Sequence, residues 1–162
     1  MPLPQPTDAP VPAHPTAVPP FPLVDLAELR QIDEAVDYAA RACKAAVSEF
    51  LASPARPGDV ATPSIELAVE FFVPPTDIVA FARELDRALT RRSLCYAGAR
   101  RGGDVGPMRV TVIPGGAFHQ WRSAWNVSPR VQHDHRWSAD RKLLDGLLRQ
   151  ALTGWREPAP LA

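Results

Sequence analysis

Apolar residues recur along this chain with two different periods, and the switches between them mark out its elements. In residues 64–73 (SIELAVEFFV), Ile65, Leu67, Val69 and Phe71 alternate with Glu66, Ala68 and Glu70. A period of two is the mark of a strand with one apolar face. MRVTVI, residues 108–113, reads as a second strand. Residues 47–52 read as a shorter one, stopped by Ser53-Pro54 and the turn at Pro57-Gly58. Elsewhere the period lengthens to that of a helix. Val36, Ala39, Ala40, Cys43 and Val47 share a helical face with Asp33 as the expected N-cap, while Leu26, Leu29 and Ile32 form a separate group ahead of it. Ile78, Phe81, Leu85 and Leu89 define a helix from about residue 77 to 90, with Pro75 expected in its first turn. Ser93 is placed to cap a short helix holding Tyr96 and Arg100, which Gly102-Gly103 breaks. Residues 117–125 set Phe118, Trp121 and Trp125 at helical spacing, as core aromatics would be. After the aperiodic residues 126–137, Ser138 is the expected N-cap of a last helix with Leu143, Leu144, Leu147, Leu148 and Leu152 on one face, ended by Thr153-Gly154.

The predicted order is helix, strand, strand, helix, helix, strand, helix, helix. Without a regular βαβ repeat this argues for an α+β fold, a small mixed sheet with helices packed mainly on one face. Residues 1–22 carry nine of the 19 prolines and are expected to be an extended, disordered tail. One domain is then expected over 23–155, with 156–162 as a frayed end. A chain of 162 residues is long enough for one such core.

Composition narrows the function classes. Lys plus Arg and Asp plus Glu each total 18, so no overall field draws the chain to nucleic acid or an anionic membrane. No apolar run approaches the ~20 residues of a membrane span, and no secretory leader is visible, which makes the cytoplasm the expected compartment. Cys43 and Cys95 are isolated and read as reduced thiols. Gly102–Gly106 (GGDVG) lacks the spacing and the Lys-Ser/Thr of a phosphate loop. The densest chemistry lies in His119, His133, Asp134, His135 and Arg136. His133 and His135 could be read as a metal-ligand pair with His119 as a third, but a metal site needs further ligands at matching geometry and His-x-His spacing is common by chance, so no metal is expected. A solvated polar loop and a phosphate-facing loop with Arg136 as its cation are both open readings.

Several motifs follow one another in a recognisable order. They are Phe50, IELAVEF, ELDRAL, then Ser93-x-x-Tyr96-x-x-x-Arg100, V-x-V-x-x-G-x-A-F-x-x-W and SADRKLLDGLL. Together, from about residue 27 to 148, they resemble the C-terminal domain of the Gretchen Hagen, or auxin-responsive, acyl acid amido synthetases. The resemblance implies an adenylate-forming system. A large N-terminal domain binds ATP and a carboxylic acid, and a small mobile C-terminal domain completes the site in which the acyl adenylate passes to an amine. It further implies a Q-x-K-x-P-R motif before the last helix, whose lysine stabilises developing negative charge. In ungapped register Arg136 matches the motif's arginine, His133 stands at the lysine and His135 at the proline, and Gln132 is one position from the glutamine. Tyr96 and Arg100 match the family, while Ser93 replaces its usual asparagine. Lys44 and Lys142, the two lysines, both fall elsewhere. A histidine near its ordinary pKa of ~6.5 is mostly neutral at neutral pH and is a poor ammonium substitute unless a phosphate or Asp134 raises it.

With no adenylation domain in the sequence, the resemblance implies no activity by the chain alone and no cofactor of its own. ATP and Mg enter through a partner adenylation protein. The first expectation is a C-terminal lid subunit docked on that partner, with His133 and Arg136 toward the adenylate and Tyr96, Arg100, Gln132 and His135 binding or docking. The alternative is a non-catalytic binding or regulatory module that has kept the fold.

Overall fold

The computed structural model describes residues 26–153 apart from 57, 60 and 126–135. Its elements in order are α1 (Leu26–Ala42), β1 (Ala46–Pro54), β2 (Ile65–Val73), α2 (Ile78–Arg92), α3 (Leu94–Gly102), β3 (Arg109–Ile113), α4 (Ala117–Trp125) and α5 (Arg141–Thr153). The strands form one mixed sheet in the order β1-β2-β3. β1 and β2 are an antiparallel hairpin, Phe50 opposite Val69 and Ala52 opposite Leu67. β3 lies parallel to β2, Val110 opposite Leu67 and Ile113 opposite Glu70, so α2 and α3 form the crossover between them. The expected class and element order are those observed.

The main core lies between one face of the sheet and α1, α2 and α3. Phe50, Leu67 and Val69 meet Val36 and Ala39 of α1, Phe81 and Leu85 of α2 and Tyr96 of α3. The rings of Phe71 and Phe81 pack edge to face, 5.1 Å between centroids. On the other face a smaller core joins Leu51, Ala68 and Ile113 to Ala117 and Phe118 of α4 and Leu144, Leu147 and Ala151 of α5. Three helices thus cover one face and two the other. This second layer changes the meaning of the alternation in β2. Glu66 and Glu70 do not face water but are buried under α4 and α5, at 6% and 9% exposure.

The helices depart from the sequence expectation in three places. α1 is continuous from Leu26, so Asp33 is an interior residue and the group of Leu26, Leu29 and Ile32 is not a separate element. α2 does start at Asp77 as expected, the Asp77 carboxylate accepting from the backbone amides of Val79 at 2.8 Å and Ala80 at 3.1 Å, but without the expected proline in its first turn. Pro75 lies outside the helix. The Ser138 hydroxyl accepts from the amide of Asp140, and the Asp140 carboxylate accepts from that of Lys142, so α5 begins at Arg141 after a local turn. Ser93 does cap α3, accepting from the amide of Tyr96 at 3.0 Å. Gly103, at φ 78°, closes it in the left-handed conformation that a Cβ disfavours. The two amides held by Asp77 make a first test: Asp77→Ala is expected to cost about 1 kcal/mol in urea unfolding, and Asp77→Asn much less.

Candidate functional site

The segment carrying most of the sequence-predicted site, residues 126–135, lies outside the described residues, and with it Gln132, His133, Asp134 and His135. The chain on either side of it is held to β1. Before it, Arg122 of α4 is ion-paired with Glu49. After it, the carbonyl of Arg136 accepts from the amide of Ala52 at 2.8 Å, and the amide of Ser138 donates to the carbonyl of Ala52 at 2.9 Å. Trp137 thereby forms a parallel bridge beside Ala52 on the outer edge of β1.

Arg136 itself makes two further contacts. Its guanidinium donates to the Asp33 carboxylate on α1 at 2.8 Å and sits 5.2 Å from the centre of the Phe50 ring. About half of the side chain stays exposed. A charged hydrogen bond and a cation–π contact hold the guanidinium in place. Arg136 is therefore anchored on the approach to α5, beside the edge of β1.

Tyr96 and Arg100 come together, as their spacing of four requires, but on an acceptor that the sequence reading missed. Asp86 of α2 accepts from the Tyr96 hydroxyl at 2.6 Å, from Arg100 at 3.1 Å and from the backbone amide of Met108 at 3.2 Å. Arg100 also donates to the carbonyl of Val105 at 3.2 Å. Tyr96 is buried at 8% exposure, whereas the Arg100 side chain retains 28%. The knot ties α2, α3 and the entry to β3 to one carboxylate, so Tyr96 serves the α2–α3 hairpin from inside and Arg100 alone of the pair reaches the surface. A phenol and a guanidinium on one face of α3, directly after a helix carrying one aspartate, was the available signal.

Burial pushes the Tyr96 phenol far above its ordinary range, and the hydrogen bond and negative charge of Asp86 push it further, against a smaller opposing effect of Arg100. The fold favours the neutral phenol. Its contribution to stability is present in full below the unfolded pKa of about 10 and is lost as pH rises toward the raised folded value. In an alkaline titration, the difference in phenolate absorbance between the wild-type chain and Tyr96→Phe is expected to emerge only with the loss of the circular dichroism signal. Phenolate from Tyr96 near its ordinary pKa with the helices intact would contradict this burial.

His119 lies in α4 and Trp121 packs partly buried against the smaller core, beside the buried Phe118. The turn ahead of α4 is fixed by Glu70, which accepts from the amides of Gly116 at 2.9 Å and Phe118 at 3.2 Å, with Gly116 at φ 82°. A carboxylate at a helix N-terminus satisfies two otherwise unpaired donors and offsets its own burial. Among the described residues no three of His, Cys, Asp and Glu are grouped to hold a metal ion. No described helix is long and apolar enough to cross a membrane.

A three-stranded mixed sheet with a helical crossover on one face and a helix pair on the other defines a small α+β domain. The sequence matches the model of the GH3 family C-terminal domain over residues 30–132, and the chain belongs to that family. Among solved structures, it superposes on the GH3.15 acyl acid amido synthetase with a TM-score of 0.57 at 15% identity, over 74% of this chain and 24% of that one. AtGH3.15 acyl acid amido synthetase in complex with 2,4-DB gives a TM-score of 0.58 at 13% identity, over 74% and 23%. The chain thus spans about a quarter of the length of those synthetases. The curated proteins contain no match to it.

Proposed function

We propose that this chain works as the C-terminal lid of an ATP-dependent acyl-amide synthesis, docking on an adenylation domain that belongs to a separate protein. The observation that carries the reading is an apolar end of the sheet. β2 and β3 run parallel, so their carboxyl ends lie together, and α2 starts five residues after β2. At that end Phe72 is 83% exposed, and Val73, Val79 and Val112 are exposed as well. Burying such side chains is worth ~1.5–3 kcal/mol each, so a partner covering this end has a driving force. Membership of the GH3 C-terminal domain family favours an adenylation domain as that partner.

In this role Arg136 contributes a guanidinium toward the adenylate, exchanging one hydrogen bond to Asp33 for a phosphate oxygen, and His133 supplies the second polar group. ATP and Mg are bound by the adenylation domain. What the chain adds is charge that stabilises the phosphate and carboxylate oxygens and exclusion of water from them. An acyl acid is the substrate class, and an amine its acceptor.

A second reading has its own support. Arg136 is already satisfied by Asp33 and Phe50, and the family's lysine position is histidine. A non-catalytic module that docks through the same sheet end and regulates its partner fits both facts. The two are separated by affinity capture of the tagged chain from its native host with mass spectrometry. Recovery of an ATP-binding adenylation protein whose amide formation fails without this chain supports the lid. An adenylation partner whose activity survives removal supports the regulator. Capture of no adenylation protein sinks both.

A further inference from the structure

We infer that the outer face of the α2–α3 hairpin is a binding site for a di- or triphosphate group. The two helices border a shallow, open groove of about 410 Å³ lined by Arg87, Thr90 and Arg91 of α2, Arg100 and Arg101 of α3, and Asp86. Four guanidiniums therefore share one small space with one carboxylate, in a chain whose charges balance at 18 and 18. Asp86 is already divided among three donors. Among the described residues Arg87 is ion-paired with Glu84 on its own helix alone, through an exposed side chain. Arg91 lies 5.0 Å from the centre of the Tyr38 ring, and neither it nor Arg101 has an ion pair among the described residues. Arg100 adds a buried Nε without a hydrogen-bond partner.

Like charges one helical turn apart, as Arg87 and Arg91 are, repel and weaken a helix. Bringing Arg100 and Arg101 up to them adds to that cost; Glu84 offsets Arg87 and Asp86 offsets Arg100, but among the described residues no carboxylate offsets Arg91 and Arg101. An anion in the groove does. A single carboxylate satisfies one guanidinium fork and leaves most of the charge uncompensated. A diphosphate carries several charges on tetrahedrally disposed oxygens and reaches donors on both helices at once, as guanidiniums favour. The groove's volume suits a small ligand. Ala97 is its one apolar lining residue and there is no aromatic, so the phosphate chain is recognised rather than a base. The site is separate from the docking end of the sheet and does not rest on the lid reading.

The test is calorimetric titration of the full chain with inorganic pyrophosphate at low salt, repeated with ATP and with a short single-stranded RNA. Pyrophosphate is expected to bind with a stoichiometry of one, weakening as salt is raised. Arg91→Glu with Arg101→Glu, both exposed positions, is expected to weaken it by roughly tenfold or more, since each removes a charged hydrogen-bond donor. Arg83→Glu, the same charge change on an exposed position of α2 outside the groove, is expected to leave it in place. Equal affinity for pyrophosphate and ATP assigns the site to the free phosphate chain, and tighter ATP binding assigns it to a nucleotide. The proposal is overturned if pyrophosphate does not bind, if the double variant binds as well as the wild type, if Arg83→Glu weakens binding equally, or if only the RNA binds.

Discussion

Asp86→Ala is expected to lower the stability of the domain by roughly 3–5 kcal/mol, which is large for a side chain on the polar side of a helix. The carboxylate is the single acceptor for the Tyr96 hydroxyl, one Arg100 nitrogen and the Met108 amide. Its removal leaves a buried phenol, a half-buried guanidinium and a backbone amide without their common acceptor. An unmade buried hydrogen bond costs ~1–3 kcal/mol, and an uncompensated charge costs more. Tyr96→Phe removes only one donor and keeps the ring in the core, so it should cost about 1 kcal/mol. Urea denaturation of the two variants checks the pair. If they lose equal stability, the three bonds do not act as one hub.

Arg141→Ala is expected to be of similar size, roughly 3–5 kcal/mol, because it strands a charge rather than merely removing one. Glu66 is buried in the middle strand and accepts from Arg141 at 2.7 Å and from the Thr111 hydroxyl at 2.8 Å. Arg141 also donates to the carbonyl of Pro54 and to Asp145, which Arg56 joins from the surface. Replacing Arg141 and Glu66 together by Met and Leu should recover much of the loss, since a buried pair is often no better than an apolar one. The network also sets an acid limit. Burial pushes the Asp145 carboxyl up, but hydrogen bonds from Arg141 and Arg56 together more than offset it, and the group ends below the ordinary carboxylate range. A depressed folded pKa contributes stability that is present above the unfolded value of about 3.9 and is lost as pH falls through the folded one. Stability measured from neutral pH down through that window should fall less steeply in Arg141→Ala than in the wild type.

These two hubs mark where the sequence stopped being readable. Period placed β2, α2 and α4, each of which carries an apolar stripe, and the Ser93 cap with the Gly102-Gly103 break placed α3. The glutamates of β2 fall at the polar positions of the alternation, and nothing local distinguishes a solvated glutamate from one buried against an arginine 75 residues later. Asp86 is hidden for the same reason, since its partners come from α3 and the entry to β3. The start of α5 was misread because Ser138 and Asp140 both offer capping oxygens, and the pull of Ala52 on Ser138 holds the chain extended there. The tether of Arg136 to Asp33 and Phe50 was not legible, because it depends on α1 and β1 packing side by side.

That tether makes Arg136 the residue on which the lid account turns, and the measurement to make is the amide-forming rate of the captured adenylation partner, mixed with wild-type chain, with Arg136→Ala or with Phe72→Ser. The account predicts that wild-type chain raises the rate. Phe72→Ser should raise the concentration of chain needed with the maximal rate unchanged, and Arg136→Ala should bind equally well and lower the maximal rate by roughly a hundredfold, as for loss of one transition-state donor. A partner that runs at full rate with no chain, or equally fast with Arg136→Ala, would contradict it.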